Sequence, residues 1–216
     1  MTGTLPAVPQ LSSIGRWVRA RLSALHYYRV PVLRSELRKR WVVLLNPQAT
    51  IRFGKGTFLG PGFSLHMPHG GTFVTGVAVE FRRDFRAELG GPDARIEIGD
   101  QSRCTHNVLM QCGTSITVGR RCMFGQSTMV VDGNHRYRDL DRPMLDQGYE
   151  FRPLTIADDA TITTKCTIIA DVGERAFVGA GSVVTKPVAP FTVAGGVPAR
   201  ELDYFGPEPR PASPSA

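Results

Sequence analysis

Residues 154–202 read LTIADDATITTKCTIIADVGERAFVGAGSVVTKPVAPFTVAGGVPAREL, and an apolar residue recurs through them at six-residue steps: Ile156, Ile162 and Ile168, then Val172, Val178 and Val184. A period of six is neither the 3.6 of a helix nor the 2.0 of an ordinary strand. It predicts a coil of short sides, each turning one apolar residue inward, with a small residue or Gly beside it where the chain bends. Three sides close a coil of about 18 residues, and coils stack by parallel backbone hydrogen bonds about 4.8 Å apart. One coil cannot bury its apolar face alone, so several must stack.

Working outward, the period continues upstream through Val118, Phe124 and Val130, and through Ile98, Cys104 and Met110. It is weaker through Phe73, Val79 and Phe85, and weaker again through Phe53, Leu59 and Leu65. Arg82, Arg83 and Asp84 break the small-residue rule in the weak part. The whole makes about five coils. Between Val130 and Ile156 about twenty residues stand where one corner should be, so 132–152 is expected as a loop thrown out of the prism. It is too polar for core, and long loops on rigid scaffolds commonly carry function. From Ile168 to Val172 the step shrinks to four residues, a tightened corner. After Val184 the ladder is expected to stop, because Pro187 and Pro190 lack the N–H a ladder requires.

The domain reading is a basic helical segment over 1–50, the coil over 51–202 and a Pro-rich flexible tail over 203–216. The net charge of +7 belongs to the first part: residues 1–45 hold eight Arg or Lys against one Glu, and the charges beyond them cancel. Leu11, Ile14, Val18, Leu22 and Leu25 fall at helical spacing, with Ser12 or Ser13 as N-cap, and Pro31 ends that helix or starts a turn. Its apolar stripe either packs on the end of the coil as a cap or lies in the plane of an anionic membrane surface. No apolar run reaches the roughly 20 residues of a membrane span, and arginines interrupt every candidate signal-peptide core. The chain is expected in the cytoplasm, at most peripheral at the inner face of the membrane. Cys104, Cys112, Cys122 and Cys166 show no zinc-ligand spacing. They read as small buried hydrophobes, with Cys104 and Cys122 stacked in successive coils.

The hexads, followed by V-G-A-G-S-V-V-T-K and then V-A-G-G-V-P-A-R, resemble the hexapeptide-repeat acyltransferases, especially sugar O-acetyltransferases of the galactoside, maltose and O-antigen kind. The resemblance covers 96–202. It implies an all-β fold, a left-handed parallel β-helix with an N-terminal helical segment and one long protruding loop; the left hand breaks the general rule for parallel crossovers and rests on the resemblance alone. It also implies a homotrimer binding acetyl-CoA or another acyl-CoA between neighbouring prisms, and no metal.

On the same resemblance, His135 at the start of the loop is the general base that takes the proton from the acceptor as it attacks the thioester. A neutral imidazole with a pKa near 6.5 suits that task. Thr164 matches a position near the thioester oxygen, where a donor stabilises an oxyanion. Ala180 matches a backbone contact to the pantetheine arm. Thr185 and Lys186 match positions near pantetheine and phosphate, and Arg200 a basic residue near the 3′-phosphate. Thr105 stands where the family carries an acceptor-contacting Asn; His106 and Asn107 are the neighbouring acceptor candidates. Two features are missing: Thr161, Ile162 and Thr163 replace Trp-Ile-Gly, and Asp203 replaces a second basic residue.

The expected reaction is acyl transfer, acetyl above all, to a hydroxyl of a sugar or glycoconjugate. N-acylation of an amino sugar or antibiotic-like acceptor, a longer acyl chain, or an inactive β-helix scaffold are the alternatives. Expected partners are a small-molecule or glycolipid acceptor and no nucleic acid, since the basic segment lacks an aromatic platform. A zinc hydratase on this fold needs converging histidines, and His66, His69, His106 and His135 lack the paired spacing.

Overall fold

The computed structural model describes residues 13–208, and in it the hexads become short strands on three parallel faces visited in turn. Each face is a ladder of inward residues. On the first, Thr75, Ile98, Val118, Ile156, Val172 and Val188 align. On the second the column is Leu59, Phe81, Cys104, Phe124, Ile162, Val178 and Ala194. On the third it is Leu65, Ala87, Met110, Val130, Ile168 and Val184. All are buried, and successive coils hydrogen-bond through their backbones as parallel strands do.

The corners explain how ordinary residues make a six-residue turn. Asp84, Asn107, Ser127 and Lys165 hold φ between 55° and 60° at the corner between second and third faces. Each donates its N–H to the coil before it, to the carbonyls of Pro61, Arg83, His106 and Gln126. That bond offsets the cost of the left-handed conformation.

The prism tapers. The first face carries a second inward column, Phe73, Ile96, Ile116 and Leu154, that ends at Leu154. Beyond it the chain passes from Ile168 through buried Ala170 straight to Val172, which is the tightened corner. The Asp171 carboxylate there accepts the Thr155 N–H at 2.7 Å. The wide coils are filled by Phe63, Phe73, Phe81 and Phe85, with Phe81 and Phe85 centroids 4.4 Å apart; the narrow ones need only Val and Ala.

Several expectations are corrected. Phe81 and Ala87, not Val79 and Phe85, are the ladder residues of the weak coil, and Arg82, Arg83 and Asp84 are its exposed corner. Six strands stack on the third face where about five coils were expected. Cys104 stacks between Phe81 and Phe124, while Cys122 sits at the preceding corner, so the two cysteines do not stack on each other. The ladder also continues past Val184: Val188 donates to Asp171 and Phe191 to Glu174, and the strand Thr192–Gly196 pairs with Phe177–Val178. Each donor is the residue after a proline, so the missing N–H groups fall where the ladder does not need them. A return strand, Ala199–Tyr204, then pairs antiparallel with Thr192–Gly196. The boundary expected at 202 therefore falls inside a strand, and the Tyr204 hydroxyl donates to the Pro207 carbonyl at 2.9 Å.

At the other end, helix α1 (Ser13–Ala24), a π-helical turn (Leu25–Arg29) and helix α2 (Val30–Leu45) precede the first strand. Pro31 lies in the first turn of α2, directly after the π-helical turn, so the chain stays helical through it where an end or a turn was expected. The positions of Leu11 and of the Ser12 cap lie outside the described residues. The cap on the coil is polar. Leu59, on the open edge of the second face, donates its N–H to buried Ser35 Oγ at 2.8 Å, and its carbonyl accepts from Arg38 Nη1 at 2.7 Å. Val42 packs beside them, while Val18, Leu22 and Leu25 of the expected stripe are exposed.

Candidate functional site

The inserted segment is a β-hairpin rooted on a buried carboxylate. Asp132, 2 % exposed, accepts the backbone N–H groups of Gly113 and Thr114 at 2.7 Å each, from the coil below. Its own carbonyl accepts from Arg152 N–H at 2.8 Å, closing the neck of the insertion. Strands Gly133–His135 and Tyr149–Phe151 then pair antiparallel, with His135 opposite Tyr149 and Gly133 opposite Phe151. Phe151 lies flat on the chain: a Cβ on Gly113 or Gly133 would come 2.2 or 2.1 Å from its Cδ1. A side chain at either glycine would push the Phe151 ring off this seat.

The consequence is an aromatic row. Tyr149 stacks on Phe151 with centroids 5.4 Å apart and planes 12° from parallel, and the His135 ring lies 4.3 Å from Tyr149. The row roofs a groove of about 770 Å³ over the third face, with Glu88, Gln111, His66, His69 and Thr167 along its floor and wall. His135 is half-buried, and among the described residues no hydrogen bond reaches its imidazole. On the floor, Gln111 Nε2 donates to Glu88 at 2.7 Å and Arg86 Nε donates at 2.8 Å. The Gln111 hydrogen bond, aided by Arg86, holds the Glu88 carboxyl below its ordinary range.

Most of the other sequence-derived residues occupy different corners. His106 and Thr164 stand in one column at the corner between second and third faces, with Gln126 between them and Ala180 beyond. Thr164 and Ala180 are exposed, and the Thr164 carbonyl accepts the Gly181 N–H at 2.9 Å. Asn107 beside His106 donates to Ser127 Oγ at 3.3 Å. Thr105 Oγ1 is buried without a hydrogen-bond partner. Thr185 and Lys186 are exposed just after the third-face strand Val183–Val184, on the edge from which the hairpin leaves and two coils beyond it, and Arg200 is exposed on the return strand. None of these lines the His135 groove. Within one chain, then, the candidate base and the candidate thioester column are on separate edges of the prism.

The groove's remaining residues were not singled out from sequence. Tyr149 and Phe151 share strand parity with His135 only once the hairpin register is known. Glu88 and Gln111 point outward from the coil, where no repeat marks them. His66, His69 and His135 line one groove, yet among the described residues no group of three His, Cys, Asp or Glu could hold a metal ion.

A three-faced parallel coil with six-residue sides and a hairpin thrown over one face defines a hexapeptide-repeat protein. No family model matches the chain. A hexapeptide-repeat-containing acetyltransferase from Vibrio cholerae is 31 % identical, over 65 % of this chain and 76 % of that one, with a TM-score of 0.55. Its complex with acetyl coenzyme A aligns over 91 % of both chains at 25 % identity and a TM-score of 0.58. Escherichia coli galactoside O-acetyltransferase is 30 % identical over 112 residues, 50 % of this chain and 54 % of that protein. A Mycobacterium tuberculosis protein named a probable acetyltransferase is 25 % identical over 190 residues, 86 % of this chain and 60 % of that protein. The chain spans about half the length of the curated relatives it matches. It belongs to the hexapeptide-repeat acetyltransferase family.

Proposed function

We propose that the chain is a coenzyme A-dependent acyltransferase that moves an acetyl group onto a hydroxyl of a sugar or glycoconjugate, with His135 as general base. The observation that carries this reading is the His135 imidazole, held by Tyr149 over a groove of about 770 Å³ and free of hydrogen bonds among the described residues. An imidazole nitrogen takes the proton of the acceptor hydroxyl while the oxygen attacks the thioester carbonyl. The tetrahedral oxyanion collapses, the carbon–sulfur bond breaks, and the thiolate leaves as thiol with the proton returned from the imidazolium. No acyl-enzyme is needed. Thr164 is the oxyanion donor in this scheme, Ala180 and Thr185 border the pantetheine arm, and Lys186 and Arg200 meet the phosphates.

Separation of His135 from the Thr164 column supports a site completed between neighbouring chains of a trimer, with a left-handed coil as in the family. Thr105, His106 and Asn107, in that column, are acceptor contacts from the neighbour. The roof supports a carbohydrate acceptor: the stacked Tyr149 and Phe151 offer an apolar platform for the C–H face of a sugar, and Glu88 and Gln111 offer hydrogen-bond partners for its hydroxyls. Glu88 also favours a second reading, N-transfer to an amino sugar.

The test is the product. His135→Ala should lower turnover by about 10² to 10⁴ with coenzyme A affinity unchanged. Hydroxylamine should release the acyl group of an ester product and leave an amide intact. Full activity of His135→Ala would remove the residue from the mechanism.

A further inference from the structure

Helix α2 has two opposite faces, and only one is used by the fold. Ser35 and Val42 are buried against the first coil. Leu33, Leu37, Trp41 and Leu44 are exposed by 57 to 69 %, and their i, i+4, i+8, i+11 spacing sets them on the other side of the helix. In α1 and the turn after it, Trp17, Val18, Leu22 and Leu25 are likewise exposed. So much exposed apolar surface on one helical segment marks an interaction site.

Charge selects the partner. Arg34 and Arg40 flank the α2 stripe, Arg21 lies 4.8 Å over the Trp17 ring, and Arg19 and Arg29 are exposed nearby. The one carboxylate of the segment, Glu36, is already paired with Lys39 at 2.7 Å. A second copy meeting this face with its own would bring the same cations, and like charges oppose that association. An anionic surface is attracted by them. Exposed Trp and Leu among arginines fit the headgroup boundary of a bilayer, where the rings bury and the guanidinium groups meet phosphate. Among the described residues no helix is long and apolar enough to cross a membrane, so the contact is in-plane.

We propose that the α1–α2 face docks the protein on an anionic lipid bilayer. The placement has a use. A second groove of about 530 Å³ opens beside Trp41 and Leu45, and His66 and Pro68 line both it and the His135 groove. Docking through α2 thus sets one end of the His135 groove toward the lipid surface, within reach of a lipid-borne acceptor. The docking itself does not rest on the acyl-transfer reading.

Trp17 and Trp41 are the chain's two tryptophans, so the protein carries its own reporter. The full chain is mixed with vesicles of phosphatidylcholine alone and of phosphatidylcholine with phosphatidylglycerol, and both sedimentation and Trp emission are read. Binding with a blue shift is expected on the anionic vesicles only, weakening as salt rises. Arg34→Gln with Arg40→Gln should weaken partitioning about tenfold or more, and Leu37→Ser with Leu44→Ser should abolish it. Circular dichroism and cooperative unfolding must stay unchanged in both, and Trp17→Phe isolates the Trp41 signal. No binding to anionic vesicles overturns the proposal. So does equal binding to both lipids, or a blue shift that grows with protein concentration without lipid, which would assign the face to a second copy.

Discussion

His135 is useful only where it is held, and what holds it is a carboxylate. Asp132 receives two backbone N–H groups from the coil below at 2.7 Å each. Asp132→Ala leaves both donors without partner, at a cost of about 1–3 kcal/mol. Faster hydrogen exchange in the Gly133–Phe151 hairpin should accompany the lower midpoint in denaturant; unchanged exchange would mean another group roots the hairpin. Lys186→Ala should act in the reverse sense to His135→Ala, weakening coenzyme A binding while turnover at saturation is kept, as a kinetic titration would show. The cysteines give a pH prediction. Burial pushes the Cys112 thiol up to about 12, with Asp132 nearby adding to it, and the Cys122 thiol up to about 11. At pH 8 none of the four buried thiols should react with a thiol reagent until the chain is unfolded. The unfolded chain sheds the Cys112 and Cys122 protons from about pH 8.5 while the folded chain keeps them. Their contribution to stability is therefore full below that pH and is lost as pH rises toward the folded values.

Among elements, the corner is the unit whose chemistry decides tolerance. A Cβ on Gly125 would come 2.4 Å from the Thr163 carbonyl carbon and 2.6 Å from the Thr164 nitrogen, backbone that cannot step aside. Gly125→Ala should cost about 1–3 kcal/mol or more. Gly181 has φ +72° and open space around it, at a corner where Ser127 and Lys165 already hold positive φ. Gly181→Asn should stay within about 1 kcal/mol, and thermal unfolding of the pair checks the contrast. The hexads were legible because a buried residue per side leaves a strict period. Their register was not legible in the wide coils, where Val79 and Phe81, or Phe85 and Ala87, are both buried two residues apart and offer two equal phases. The prolines misled for a related reason: ladder donors alternate with non-donors, and a proline is harmless at the second kind. Of the candidate site, the insertion could be read from spacing, and His135 was singled out by the resemblance. Tyr149 and Phe151 could not, because a hairpin partner fourteen residues away leaves no local period.

Across the trimer proposed above, the candidate base and the thioester column lie on different edges of each chain, so that neighbouring chains would complete each site. Mixing unfolded His135→Ala and Ala180→Trp chains in equal amounts and refolding them together should restore about a quarter of wild-type activity, since in a trimer with shared sites each site draws its base from one chain and its thioester column from the next. Recovery of nothing would place both residues in one chain's site. The taper also belongs to this scale: phenylalanines fill the wide end against the polar cap of α2, and the narrow end closes with the return strand Ala199–Tyr204. Calorimetric titration of the purified chain with acetyl coenzyme A comes first. One molecule should bind per chain, saturably, with Lys186→Ala weakening the binding and His135→Ala preserving it. If acetyl coenzyme A, coenzyme A and longer acyl thioesters all fail to bind saturably, the acyl-transfer reading falls and the prism is left as a scaffold.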